Sequence, residues 1–173
     1  MAPERDRAFA RAGTPKPDRV QNPSHTDGFT LIEIMICIAI LGTLAAIAIP
    51  NYFSYINRGR VARAIGDIKA IENPIQQFYL INDRYPDSLA QVGLGGIKDP
   101  WGNAYRYLRI EGNANPGKGK LRKDHNLVPV NSDFDLYSMG KDEATNSTFT
   151  AKVSEDDIVR ANNGGYVGLV SEY

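Results

Sequence analysis

The sequence predicts an α+β fold: one long N-terminal α-helix, its first half of membrane-spanning character, packed on a small antiparallel β-sheet. Three observations carry this. From Phe29 to Ile49 the chain is apolar apart from one charge, Glu33. Beyond Pro50, Val61, Ile65, Ile68, Ile71, Ile75 and Phe78 recur at steps of three and four, the one-sided stripe of an amphipathic helix. After residue 86 the chain breaks into short aromatic and β-branched segments separated by turn residues.

The bulk composition excludes little by itself but removes several classes. Net charge is +0 over 173 residues, so the average charge gives no push toward nucleic acid. The one cysteine, Cys37, lies inside the apolar run and rules out an intrachain disulfide. The two histidines, His25 and His125, stand far apart with no cysteine nearby to complete a zinc set. No Ser/His/Asp or Cys/His set is present, and the expectation is a protein that is not an enzyme.

Taken in chain order, residues 1–28 read as a separate leader, charged and proline-bearing with no apolar period. Arg5, Arg7, Arg11, Lys16 and Arg19 oppose Glu4, Asp6, Asp18 and Asp27, a slight basic excess that favours a cytoplasmic N-terminus. The leader lacks the apolar core of a secretory signal peptide. Phe29 to Ile49 at about 1.5 Å per residue makes roughly 30 Å of helix, one hydrocarbon thickness. Arg58, Arg60, Arg63, Asp67 and Lys69 lie off the stripe that follows, so a single helix is expected from Phe29 to about Leu80. Pro50 and Pro74 should each kink it or remove a backbone bond, and "INDRYP" (Ile81–Pro86) ends it.

Asp99-Pro100-Trp101-Gly102 has Pro second and Gly fourth, the pattern of a type I turn. Tyr105–Ile110 alternates and reads as a strand, as do Phe134–Met139 ("FDLYSM") and Phe149–Val153 ("FTAKV"). Between the first two, "EGNANPGKGKLRKDHN" is a polar, Gly-rich loop. Its "GNANPGKG" (Gly112–Gly119) comes close to a phosphate-binding loop but ends on Gly119, where a magnesium-binding hydroxyl is required. A hairpin tip is the better reading, with Lys118, Lys120, Arg122 and Lys123 as its solvated charges. Ser154, with Asp157 three residues on and a Gly pair after, reads as the N-cap of a short helix over "SEDDIVRANNGG". "YVGLV" adds a last strand. Trp101, Tyr105 and Tyr107 are expected in core and turn packing rather than base stacking.

Glu33 is the residue that needs an explanation. A carboxylate in hydrocarbon costs about 3 kcal/mol by insertion scales unless it finds a partner. "GFTLIE", the apolar helix and Pro50 resemble the type IV pilin superfamily. "DRYP", "DPWGNAYRYL" and "FDLYSMGKD" are similar to the major pseudopilins of type II secretion systems. The resemblance implies a type IV pilin-like fold. It divides the chain into a cytoplasmic prepilin leader (1–28), a transmembrane and polymerisation helix (29–50) and a periplasmic domain (51–173).

It further implies that a membrane-embedded prepilin peptidase cuts after Gly28 and methylates the new N-terminus, Phe29. The subunit then waits as a single-pass protein in the inner membrane, in contact with lipid, until it is extracted into a filament. Phe29, Thr30, Glu33 and Pro50 are the assembly residues it implies, with Glu33 pairing to the N-terminal ammonium of a neighbouring copy. Each charge is costly alone in a low-dielectric core and tolerable in a pair. Thr30 is placed to hydrogen-bond the Glu33 carboxylate, and Gly28 leaves the backbone open to a peptidase. The implied partners are copies of the same chain, minor pseudopilins, the peptidase, an inner-membrane assembly platform and, indirectly, a cytoplasmic ATPase; nucleic acid is not among them. Two features depart from the family: Asp27 stands where a basic residue is usual, and Pro74 interrupts a helix that is usually unbroken.

The resemblance also implies one bound calcium ion in the loop after "FDLYS". Asp142, Glu143, Asp156 and Asp157 offer carboxylates there. Asp142 and Asp156, with the carbonyl of Met139 and Asp157 as a further carboxylate, are the expected ligands. The opposing reading makes Asp156 and Asp157 charges at a helix N-terminus. Three other functions remain open: a surface type IV pilin for adhesion or motility, a non-polymerising membrane-anchored protein that binds calcium or substrate, and a DNA-binding minor pilin resting on the basic loop.

Overall fold

The computed structural model describes residues 28–114, 116–117 and 119–173. Helix α1 runs Leu31–Asn82, followed by β1 (Arg106–Arg109), β2 (Phe134–Ser138), β3 (Ile158–Ala161) and β4 (Tyr166–Leu169). Pro50 and Pro74 both lie inside α1, and neither ends it. By internal contacts the chain forms two compact units, Met1–Thr43 and Leu44–Tyr173. The leader expected at 1–28 lies outside the described residues except for Gly28.

Within the described part of the first unit the chain enters α1 through Thr30, and every side chain is exposed. Phe29 is 83% exposed and Leu31 78%. An apolar helix surface this open to water has no place in a finished soluble protein. By length and composition α1 is able to cross a membrane.

The second unit is built on the α1 stripe. Ala64, Ile68, Ile71 and Ile75 are buried at steps of four, three and four. They meet Tyr85, Leu89, Tyr105, Phe134, Leu136 and Ile158 in one core. The stripe closes on Tyr79, not Phe78: Tyr79 stacks on Tyr85 at 4.4 Å between ring centroids, whereas the Arg84 guanidinium lies over Phe78. "INDRYP" does end the helix.

The sheet has the order β1-β2-β3-β4, antiparallel throughout. Alternation sends Phe134, Leu136 and Ile158 toward α1 and their neighbours to the opposite face. There Val159 and Ala161 form a second core with Val130, Phe149 and Val170. α1 covers one face of this small sheet, and the long β1–β2 and β2–β3 connections bring Val130 and Phe149 to the other.

Two expected elements differ. Phe149–Val153 is not a strand; Phe149 is buried in the second core, held by its N–H to the Lys123 carbonyl, and the chain turns after it. The segment read as a capped helix from Ser154 instead contains β3. Ile158 and Val159 are β-branched and find strand partners in Ser138 and Tyr137. Ser154 does not cap; its hydroxyl donates to the Asn146 carbonyl and accepts the Asn146 N–H. Local capping chemistry lost to tertiary pairing.

The "DPWGN" turn forms as expected, with the Gly102 N–H on the Asp99 carbonyl at 3.0 Å. Asp99 does more than open it. Its Oδ1 accepts the N–H groups of Trp101 and Asn103, and its Oδ2 accepts the Ser138 hydroxyl at 2.6 Å, tying the turn to the end of β2.

Candidate functional site

Gly28, Phe29, Thr30 and Glu33 fall together where the chain enters α1. Thr30 is the residue before the helix and Glu33 the third residue within it. The Thr30 N–H and hydroxyl both donate to Glu33 Oε2 at 2.8 Å, and the Glu33 N–H donates to Thr30 Oγ1 at 3.3 Å. This is a reciprocal capping box, which satisfies backbone donors that the first turn leaves without partners. Among the described residues nothing donates to Glu33 Oε1. Gly28 is exposed, and a Cβ built on it would meet nothing within 4 Å. Pro50 sits far along the helix, on its exposed stretch.

The expected calcium ligands are placed around the β2–β3 connection. Met139 follows β2 directly and is half-buried. Asp156 Oδ2 accepts the N–H groups of Lys141 and Asp142 at 2.8 and 3.1 Å, and Asp142 Oδ1 accepts that of Ala144. Asp157 is elsewhere occupied: its Oδ2 takes the Arg122 guanidinium at 2.6 Å and the Thr145 hydroxyl at 2.5 Å. Burial pushes the Asp157 carboxyl up, with the Thr145 and Arg122 bonds working against that shift. Among the described residues no group of three His, Cys, Asp or Glu side chains stands ready to hold a metal ion. The carboxylates expected to converge on calcium serve N–H groups and an arginine instead, so these four residues do not fit the ion as arranged.

Two buried arginines carry electrostatics that the sequence reading missed. Arg122, expected as a solvated loop charge, has a side chain only 2% exposed. Arg160 in β3 is clamped by Asp133, at 2.6 Å from Nη2 to Oδ2, and by Glu72 of α1 on its Nε. Burial works against the Arg160 charge, but Asp133 and Glu72 outweigh it and raise its pKa. The signal for Arg160 was present: a lone arginine between Val159 and Ala161 in an otherwise apolar segment must find carboxylates or leave the core.

The comparisons with known proteins divide along the chain. Residues 24–49 match the prokaryotic N-terminal methylation motif. Over 66% of this chain and 83% of its own length, a type II secretion system core protein G of Pseudomonas aeruginosa is 36% identical. The chain belongs to the type II secretion core protein G family. A second member, from Aeromonas hydrophila, is 31% identical over 82% of its length. The type IV major pilin protein PilA of Myxococcus xanthus is 41% identical, over only 46% of this chain and 35% of the pilin. No solved structure matches. Family members are major pseudopilins of the type IV pilin superfamily, and the long helix on a four-stranded antiparallel sheet is the fold expected of one. With its apolar N-terminal helix, the chain is a single-pass, membrane-anchored protein.

Proposed function

We propose that this chain is the structural subunit of a periplasmic pseudopilus that drives protein export by type II secretion. One observation carries the reading: the apolar stretch of α1 before Pro50, exposed along its length, bears its sole carboxylate in the first turn, with Oε1 of that carboxylate lacking a donor among the described residues. Such a helix needs lipid before assembly and copies of itself afterwards. The open oxygen is where the N-terminal ammonium of a neighbour would bind once a peptidase has cut after Gly28 and methylated Phe29. The pair would also set the axial register of otherwise featureless apolar helices, the best-attested use of buried polar groups. In this reading the leader is cytoplasmic, the helix spans the inner membrane and the domain from residue 51 is periplasmic. Minor pseudopilins, the prepilin peptidase, an assembly platform and a cytoplasmic ATPase complete the machinery.

The mass of the N-terminal peptide of protein taken from its native membrane tests this. A peptide beginning at Phe29 with one added methyl supports it; a peptide retaining residues 1–28 overturns it. Partial similarity to pilins supports a second reading, a surface pilus. Deleting the chain separates the two: export fails in the first case, surface pili disappear in the second.

A further inference from the structure

The cluster around Arg122 gathers residues of the loop to which the family resemblance assigns calcium. The guanidinium donates to Thr145 Oγ1 and to the Asn146 carbonyl, each at 2.6 Å from Nη1, and to Asp157 Oδ2 at 2.6 Å from Nη2. A hydroxyl, a carbonyl and a carboxylate are the hard oxygens that a calcium ion would collect. The guanidinium carbon lies over two aromatic rings, 4.3 Å from the Tyr137 centroid and 5.2 Å from that of Phe149. The Arg122 backbone is fixed as well, with its N–H on Asp135 Oδ2 and its carbonyl receiving the Val130 N–H. Three stretches distant in sequence (the β1–β2 connection, residues 145–146 and the entry to β3) therefore meet on one charge. Within the cluster, Arg122 Nε and Asp157 Oδ1 are buried without a partner among the described residues. They belong to one ion pair, a donor and an acceptor complementary to each other in the bidentate arrangement arginine favours.

We propose that Arg122 is the resident cation of this loop, taking the oxygens that a divalent ion would otherwise bridge, so that residues 139–157 fold without calcium. Arginine is always charged in proteins, so its hold on the loop does not depend on ion supply. With Asp157 neutralised by it and Asp156 accepting N–H groups, a calcium ion here would meet a guanidinium in place of an excess of negative charge.

The test uses the full chain in detergent, comparing thermal unfolding and proteolysis within 139–157 in excess chelator and in millimolar calcium chloride. The same melting temperature and cleavage rate in both are expected. A rise in melting temperature with calcium, or protection of 139–157 that vanishes with chelator, would overturn the proposal. Arg122→Gln removes the charge and keeps a donor; cleavage within 139–157 should then accelerate roughly tenfold or more as the loop opens. A variant with wild-type melting and cleavage would equally overturn it. Both readouts concern single subunits, so they stand or fall separately from polymerisation and export.

Discussion

Thr30 and Glu33 hold each other across the first turn of α1, the threonine giving two hydrogen bonds to one carboxylate oxygen and receiving one from the glutamate N–H. Glu33 therefore has a role inside its own subunit, and the role in assembly has to be separated from it. Glutamine serves at the third position of a capping box as glutamate does, but it carries no charge. Glu33→Gln should keep the helix start and lose the ammonium pairing; Glu33→Leu should lose both. Breaking a buried pair from one side costs about 3–5 kcal/mol. Filament recovered by shearing should accordingly fall at least about tenfold in both variants, with the membrane level of subunit unchanged. If Glu33→Gln assembled as wild type, Glu33 would be a helix cap and nothing more.

Arg160 supports the second unit from its middle. Its side chain is 1% exposed and contacts Asp133 and Glu72 while its guanidinium lies 4.0 Å from the Phe134 ring centroid. Arg160→Met fills similar volume but abandons two carboxylates, one of them only 10% exposed. About 3–5 kcal/mol should be lost, the cost of leaving a buried charge unpaired. Chemical denaturation of the variant measures this directly; a loss below about 1 kcal/mol would mean that the carboxylates relax into water.

Much of this was legible in the sequence because the strongest signals are local and periodic. The α1 stripe, the turn at Asp99 and the strands around Tyr107, Leu136 and Val167 follow from spacing alone. The Thr30–Glu33 contact was legible too, since both residues lie within one helical turn. What stayed hidden depends on distant partners. Ser154 and Asp157 imitate a helix start, yet Asn146 and Arg122 claim their side chains from 8 and 35 residues away. Arg122 looked like one more loop charge because nothing in "KLRK" announces that Leu121 and Arg122 turn inward while Lys120 stays out.

Gly140 holds the chain where β2 ends and the β2–β3 connection begins. Its φ is +67°, and a Cβ there would fall on the Asp156 backbone, 2.8 Å from the carbonyl carbon. Backbone cannot swing aside as a side-chain tip can, so Gly140→Ala adds a clash to the cost of a left-handed alanine. A loss of at least about 1–2 kcal/mol is expected, together with faster proteolysis between residues 139 and 157. A variant as stable as wild type would show that the connection shifts freely and that its hydrogen bonds to Asp156 fix little.

Alkaline pH should unfold the second unit through its buried phenols. Burial raises the Tyr105 pKa, helped by Asp67, whose Oδ2 accepts the Tyr105 hydroxyl at 3.0 Å. Burial likewise raises Tyr107, against the pull of Arg109, while its hydroxyl donates to the Pro86 carbonyl at 2.8 Å. Tyr137 is raised by burial as well. In each case the folded value lies above the unfolded one, near 10. The folded state thus keeps protons that the unfolded chain releases, and stability falls as pH climbs beyond about 10. Below that value these phenols contribute no pH dependence. The part of the tyrosinate absorbance that comes from Tyr105, Tyr107 and Tyr137 should rise together with loss of folded structure, above about pH 10. Tyr105→Phe removes one raised phenol and should move that loss to higher pH, at the cost of leaving Asp67 without its donor. Ionisation of these three phenols with the fold intact would show instead that their hydroxyls reach water without unfolding.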